Sequence, residues 1–132
     1  MSVRFLSVQD IHVLHQVTLQ RDGGDSGTRD PGLLESAVGM PRQQFGGDYL
    51  HDGVPAMAAA YLYHLVMNHG FVDGNKRVGM LACLAFLRAN GMRVRLDSAQ
   101  MEDVTLKVAA GEMGKDQLTV LLQEFATVLS TD

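Results

Sequence analysis

The sequence predicts an all-α domain of about six helices, with one irregular flap before a central helix pair. Two stretches, Pro55–His69 and Asn75–Ala89, carry this prediction, because each runs about four turns without a helix breaker. Both are apolar on nearly every side, which is typical of helices buried at the centre of a fold. The remaining evidence is that helix-capping residues precede the other segments with helical periodicity.

The first helix is predicted from its cap and its apolar face. Ser7 followed by Asp10 resembles a capping box in which Asp replaces the usual Glu or Gln. Apolar residues then recur at helical spacing, so the helix is expected over Val8–Gln20. The turn-forming stretch Asp22–Gly27 ends it.

The second helix is predicted over Pro31–Gly39. Asp30 can cap its free N–H groups, and the proline that follows fits the first helical position without losing a needed donor. Pro41 stops this helix. The next segment, Arg42–Gly53, has several glycines and no helical period, so it is predicted to be an irregular flap or a short hairpin.

The end of the chain is predicted to add two helices to the central pair. Arg93–Leu96 is expected to be a short extended link. Asp97 or Ser98 then caps a helix that runs to about Ala110. The last helix is expected over Asp116–Leu129.

Composition limits the chain to one domain and excludes some partners. With 132 residues, 46% of them hydrophobic, residues 1–132 suffice for a single core. A net charge of −4 gives no positive field to hold nucleic acid. The start of the chain does not resemble a signal peptide, and the apolar stretches fall short of the roughly 18 residues needed to cross a membrane. We therefore expect a cytoplasmic protein without nucleic-acid or membrane partners.

The nonapeptide His69–Arg77 joins the two central helices and is predicted to be an active-site loop that handles nucleotide phosphates. A helix N-terminus offers unpaired N–H groups and partial positive charge, so Asn75, Lys76 and Arg77 begin an anion site. Gly74 allows a tight turn and a close approach of phosphate. The guanidinium of Arg77 can add a bidentate clamp.

Other residues of the loop are assigned from their position. Asp73 lies at the rim of the anion site, where a carboxylate can hold the magnesium ion of a nucleotide. His69 is expected to face the same pocket and to take a proton from an incoming hydroxyl. Phe71 is expected to turn inward, and Gly70 to cap the preceding helix. Lys76 either reaches the phosphates or occupies the place of one.

The loop resembles the core motif of the Fic/Doc family, His-x-Phe-x-Asp/Glu-Gly/Ala-Asn-Gly/Lys-Arg. All six defined positions match, namely His69, Phe71, Asp73, Gly74, Asn75 and Arg77. Lys76 in place of Gly, and Met80 where adenylyl-transferring members carry a second Arg, resemble the Doc (death-on-curing) branch. Phe5–Ser7, Arg29–Ala37 and Phe45–Gly47 also have counterparts in Doc-like proteins, so the resemblance covers nearly the whole chain.

The resemblance implies a compact Fic/Doc-like bundle and a specific activity. Doc toxins transfer the γ-phosphate of ATP to a threonine of elongation factor Tu and so arrest translation. Carried over, His69 is the general base and Asp73 the Mg²⁺ ligand. Gly74 to Arg77 form the phosphate cradle, in which Lys76 and Arg77 act on the reacting phosphates.

The resemblance also implies two partners. One is a protein target similar to elongation factor Tu, whose modified segment the flap would align by main-chain pairing. The other is a cognate antitoxin whose C-terminal segment folds into a groove beside the active site.

Two alternatives stay open from the sequence. One is nucleotidyl (AMP) transfer to a protein hydroxyl, in which the α-phosphate is attacked. In Doc proteins the Gly-to-Lys change is linked to an inverted nucleotide, so the resemblance at Lys76 implies γ-phosphate transfer. The other alternative is a non-catalytic binding module with the same fold.

The remaining histidines and the cysteine are given structural interpretations. His12 and His15 lie three apart on the first helix without a third metal ligand, and both are expected at the surface. His64 is expected to be a hydrogen-bonded residue of the core or pocket rim, and His51 is uninformative. Cys83 is expected to be an inert, buried thiol.

Overall fold

The computed structural model describes residues 2–129, and six α-helices make up most of this range. The helices are α1 (Val8–Asp22), α2 (Pro31–Gly39), α3 (Val54–Asn68), α4 (Asn75–Ala89), α5 (Ser98–Ala109) and α6 (Lys115–Phe125). Two antiparallel strand pairs accompany them, β1 (Gln44–Phe45) with β2 (Asp48–Tyr49) and β3 (Met92–Val94) with β4 (Ala126–Val128). The predicted class, a bundle of about six helices, is confirmed.

Helix α1 begins at the predicted capping box. The Ser7 hydroxyl accepts from the Asp10 N–H at 3.1 Å, and the Asp10 carboxylate accepts from the Ser7 N–H at 2.8 Å. The helix continues two residues past the predicted Gln20, to Asp22. Its C-cap Gly23, at a φ of 75°, donates its N–H to the Leu19 carbonyl.

Helix α2 and the flap also form where predicted. The Asp30 carboxylate accepts from the Leu33 N–H at 3.0 Å and caps α2. A 3-10 turn, Met40–Arg42, leads into the β1–β2 hairpin, which is turned by Gly46 and Gly47. Both glycines have a positive φ, as a two-residue hairpin of this type requires. The flap, Arg42–Gly53, is therefore built around a short hairpin.

Helices α3 and α4 form the antiparallel centre of the bundle. Gly79 of α4 lies so close to α3 that a Cβ atom there would be 2.8 Å from Val66 Cγ2. Further along, the Tyr61 and Phe86 rings are 4.9 Å apart. Helices α2, α5 and α6 surround α3, and its apolar residues are almost all buried. Within residues 2–129, every helix is too short or too polar to traverse a bilayer.

The C-terminal region corrects the prediction of one long last helix over Asp116–Leu129. Helix α6 stops at Phe125, and Ala126–Val128 turns back as β4 to pair with β3. The predicted extended link, Arg93–Leu96, is partly strand because β4 supplies its partner. Apolar periodicity could not show this pairing, since the two strands are about 30 residues apart along the chain.

The segment before α1 packs along the central helices. The Tyr61 hydroxyl accepts from the Leu6 N–H at 2.9 Å and lies 3.2 Å from its carbonyl. Burial raises the pKa of Tyr61. The Asn90 amide bonds both main-chain groups of Arg4, at 2.8 and 3.0 Å. These bonds fix the first residues against the far end of α4.

Candidate active site

The loop between α3 and α4 lies against the connection between α1 and α2. Phe71 forms an isolated antiparallel bridge with Thr28. The Gly70 carbonyl accepts from the Arg29 N–H at 2.8 Å. Since these contacts join positions about 40 residues apart, the loop takes its shape from distant segments as well as from its own sequence.

His69 is the residue that ends α3. Its φ of 51° and ψ of 50° place it in the left-handed region, where it is the one non-glycine residue among residues 2–129. The predicted cap, Gly70, is thus wrong by one position; a Cβ at Gly70 would lie 2.9 Å from Leu34 Cβ, which explains the glycine there. Arg29 donates to the His69 carbonyl at 2.7 Å and to the Asn68 carbonyl at 3.1 Å. Left-handed backbone of this kind costs about 1–3 kcal/mol and is common at functional sites.

Phe71 and Asn75 close the loop internally. The Phe71 ring is buried, as predicted. The Asn75 side chain accepts from the Phe71 N–H and donates to its carbonyl, both at 3.0 Å. Asn75 was predicted to bind the nucleotide; because its amide is engaged in the loop, its main-chain N–H is the group left for that role.

His15 lies directly against the loop, a position that the sequence prediction missed. It was expected at the surface, but only 3% of it is exposed. Its Nε2 donates to the Asp73 carbonyl at 2.9 Å, and its ring stacks on Phe71 at 3.8 Å. Ile11, His15 and Thr18 are the buried residues of α1, at spacings of four and three. That spacing was the available signal, since it places His15 on the inner face.

The N-terminus of α4 has the open main-chain geometry on which the predicted anion site depends. Gly74 is the N-cap, with a φ of 82°. The first helical bond runs from the Val78 N–H to the Gly74 carbonyl. The N–H groups of Asn75, Lys76 and Arg77 precede that bond and have no acceptor in the helix.

A cleft of about 670 Å³ opens at this N-terminus, between α1, α4 and α5. The loop contributes Asp73, Gly74, Asn75, Lys76 and Arg77 to its lining, and the walls include Thr18, Arg21, Asp22, Met80, Leu81, Leu84, Glu102, Thr105 and Leu106. The loop and α1 therefore contribute most of its charged groups, and Met80, Leu81, Leu84 and Leu106 form an apolar stretch of its wall. His69 is exposed but does not line the cleft, contrary to expectation, because it stays at the α3 end of the loop.

The two cations of the cradle differ in their contacts. Arg77 Nη1 lies 3.7 Å from the Asp22 carboxylate and 3.4 Å from the Gly23 carbonyl. Both charged side chains are about half exposed, so the pair is weak and a phosphate can replace it. Lys76 is exposed at the mouth of the cleft.

The Asp73 carboxylate is held in a defined place. One oxygen accepts from the Gly74 N–H at 2.8 Å, and the other lies 3.4 Å from the Asp25 N–H. Gly24 packs beside it, where a Cβ atom would come within 2.6 Å of Oδ2. No group of three or more His, Cys, Asp or Glu residues converges on a metal-sized position in residues 2–129.

A second polar cluster ties the flap to the helices. Lys115 Nζ of α6 lies 3.1 Å from Nε2 of His51 in the flap and 3.1 Å from Nε2 of His64 in α3. Burial, then Lys115 and His51, lower the pKa of His64 to about 4. Burial and Lys115 also lower the pKa of His51. The expectation of a hydrogen-bonded His64 is confirmed.

The fold and the loop together define a class, helical domains that join an open helix N-terminus to a histidine-bearing loop. Comparison with known proteins is more specific. The Fic/DOC family model matches residues 5–87, and the chain belongs to this family.

Two relatives cover most of the chain. It is 33% identical over 111 residues to the "Protein kinase doc" of Escherichia phage P1. The aligned region spans 84% of this chain and 86% of that protein. It is 35% identical over 111 residues to the "Toxin Doc" of Mycolicibacterium smegmatis. The aligned region spans 83% of this chain and 85% of that protein. The resemblance to the Doc branch is thus confirmed.

Proposed function

We propose that this chain is the toxin of a toxin–antitoxin pair and a protein-modifying transferase. It transfers the γ-phosphate of ATP to a Thr or Ser hydroxyl of a protein target similar to elongation factor Tu, and thereby arrests translation. One observation carries the proposal: the open N-terminus of α4, with Asp73, Lys76 and Arg77, lines a single cleft beside the His69 loop. The two relatives, one named a protein kinase and the other a toxin, support it.

The proposed transfer is a single displacement. The target hydroxyl oxygen bonds to the γ-phosphorus, and the bond from that phosphorus to the β–γ bridging oxygen breaks, releasing ADP. His69 takes the hydroxyl proton. Because His69 lies outside the lining of the cleft, the target approaches from the His69 side of the loop while the phosphates lie at α4.

The phosphate cradle works through main-chain and side-chain groups. The N–H groups of Asn75, Lys76 and Arg77 bind phosphate oxygens at the positive end of the helix dipole. The guanidinium of Arg77 exchanges its weak pairing with Asp22 for a charge-assisted contact with phosphate. Lys76 adds a second charge where negative charge builds up on transfer.

The residues present fit a magnesium ion carried by the nucleotide. Mg²⁺ prefers one or two carboxylates, several waters and phosphate oxygens, so a single exposed carboxylate suffices. Asp73 offers it, held against Gly24 at the phosphate end of the cleft. When bound, the ion would neutralise charge on the phosphates.

The apolar stretch of the cleft wall is the proposed binding site of the antitoxin. Leu81, Leu84 and Leu106 line it, and Leu106 is 50% exposed in the isolated chain. An amphipathic segment can place its apolar face in such a groove. Bound there, it lies beside the phosphate cradle and can hinder nucleotide binding.

The flap is the proposed docking edge for the target. Its hairpin leaves an open strand edge, and Phe45 at the tip is 84% exposed. Leu50 is exposed as well. An extended target segment can pair with such an edge through main-chain hydrogen bonds.

The test uses ATP labelled separately at the γ- and α-phosphates. The purified chain is first incubated with a cytosolic lysate and ATP carrying one label or the other. The lysate protein that becomes labelled is then isolated, and the assay is repeated with that protein alone. We expect label from the γ position to enter a protein band, and His69→Ala to abolish it. His12→Ala, which changes an exposed histidine outside the loop, is the matched control.

Each other outcome contradicts the proposal. Transfer of the α label alone would show nucleotidyl transfer. Growth inhibition that survives His69→Ala, with no transfer of either label, would show a non-catalytic binding module.

A further inference from the structure

The peptide group between Asp73 and Gly74 is bonded at both ends. Its carbonyl oxygen accepts from His15 Nε2 at 2.9 Å. Its N–H, which belongs to Gly74, donates to the Asp73 carboxylate at 2.8 Å. A trans peptide is planar, and its C=O and N–H point in opposite directions. Fixing the carbonyl therefore fixes the N–H, and with it the carboxylate.

The His15 side chain is well placed to hold this peptide. A carbonyl can only accept, so Nε2 must carry the proton in this contact. The imidazole is buried and lies nearly parallel to the Phe71 ring, at an interplanar angle of 13°. A Cβ atom at Gly74 would be 3.5 Å from His15 Nε2, so the ring also packs directly beneath the turn.

We infer that His15 is a positioning residue, which orients the Asp73 carboxylate toward the metal–nucleotide complex through the Asp73–Gly74 peptide. The inference rests on the proposed function, in which Asp73 binds the metal ion of the nucleotide. His15 itself touches neither the nucleotide nor the ion. Partners that orient a metal ligand typically change metal affinity by about 10- to 100-fold when they are removed.

Two substitutions separate the hydrogen bond from the packing. His15→Phe keeps a flat ring against Phe71 but removes the donor. His15→Gln removes the ring but keeps an N–H donor near the position of Nε2. His12→Phe is the control, because His12 is exposed on the same helix and meets Phe71 only edge-on, at 5.5 Å.

The first readout is the Mg²⁺ concentration that half-saturates ATP binding. We expect His15→Phe to raise it roughly tenfold or more, and His15→Gln to stay close to the wild type. ATP binding in EDTA should be the same in all variants, since the α4 N-terminus is unchanged. An unchanged Mg²⁺ requirement in His15→Phe, or equal losses in the Phe and Gln variants, overturns the inference.

The second readout is hydrogen exchange of the Gly74 amide, which needs no activity. Exchange should accelerate in His15→Phe and remain slow in His15→Gln. If wild-type ATP binding proves independent of Mg²⁺, the proposed metal role fails, whereas Gly74 exchange still tests the hold of His15 on the peptide. Should His15→Phe not fold, fast Gly74 exchange in the folded Gln variant is sufficient to overturn the inference.

Discussion

At the scale of the residue, Gly24 decides where the Asp73 carboxylate can lie. Gly24→Ala should lower both stability and transfer activity, because its Cβ would meet Asp73 Oδ2 at 2.6 Å and its φ of 121° suits glycine alone. Gly23→Ala is the matched control, with a φ of 75° and open space around its Cβ. The control should cost about 1–3 kcal/mol in strain, because a ψ of −173° at this φ also favours glycine, and should leave the transfer rate unchanged. Thermal unfolding and transfer rates measure both, and equal loss of activity would contradict the role of Gly24.

Arg29 holds His69 through two carbonyls at the end of α3. Arg29→Met should cost about 1–2 kcal/mol of unfolding free energy and slow the transfer, since a strained His69 loses its anchor. The stability and transfer rate of Arg29→Lys should lie between those of the wild type and Arg29→Met, because an ammonium lacks the planar fork that reaches both carbonyls. Urea unfolding and transfer rates are the measurements, with the exposed Arg93→Met as the control. A normal transfer rate in Arg29→Met would show that His69 keeps its place without Arg29.

The motif singles out the candidate site residues of the loop, but not the contacts that hold them in place. The motif named His69, Asp73 and Arg77 from spacing alone. His15, by contrast, acts on a main-chain carbonyl 58 residues away, and a carbonyl leaves no mark in the sequence. The end of α3 is a similar case. The sequence predicted Gly70 as its cap, but the contacts of Arg29 with main-chain carbonyls hold His69 there in the left-handed region.

At the scale of the element, the close contact between α3 and α4 depends on the glycine at position 79. Gly79→Ala should destabilise the protein by about 1–3 kcal/mol, because the added methyl would overlap Val66 in a packed core. Gly39→Ala is the matched control; it lies in α2 with helical backbone and open space. Alanine there should be neutral or slightly stabilising. Urea unfolding of both variants tests the pair, and equal stabilities would show that the central helices can separate at little cost.

We expect the cluster of His51, His64 and Lys115 to make the stability of the fold pH-dependent. Both histidines have a lowered pKa in the folded state, so the unfolded chain binds protons first as pH falls. The stabilisation is complete above the ordinary histidine pKa of about 6.5 and is lost as pH falls toward about 4. Thermal unfolding between pH 7.5 and pH 4.5 should therefore show a steeper loss in the wild type than in His51→Gln/His64→Gln. Parallel pH profiles would rule the cluster out as the cause.

Elements with local start signals were predicted well, and elements that depend on a distant partner were not. Ser7 and Asp30 marked two helix starts because a cap acts within one turn. The end of α6 and strand β4 depend on β3, so periodicity extended the helix too far. The flap lay between these cases, since Gly46 and Gly47 encode its turn locally.

At the scale of the whole molecule, Cys83 reports on the central core. It is fully buried in α4, and burial raises the pKa of its thiol to about 12. If residues 1–132 form one cooperative domain, as the sequence predicts, a thiol reagent should react only with unfolded chain. The urea midpoint for thiol reaction should coincide with the midpoint for loss of helical circular dichroism. Rapid reaction in the absence of urea, or two separate midpoints, would contradict a single unit.

The overall architecture followed from the sequence because most of it is helical and locally specified. A central pair apolar on nearly every side requires surrounding helices, and the structure places α2, α5 and α6 there. The orientation of the cleft could not be predicted in this way. It depends on how α1 and α5 flank the start of α4, which is decided by packing over long sequence distances.

The bonds from Arg4 to Asn90, and from the Leu129 N–H to the Gly91 carbonyl, bring both ends of the described chain to the same place. That place is the C-terminal end of α4, on the order of 20 Å from the helix start that is proposed to bind phosphate. An affinity tag or fluorescent fusion on either side should therefore leave the cleft accessible. The same proximity makes the protein suitable for circular permutation, with a short linker joining the old ends and new ends opened in the turn between α5 and α6.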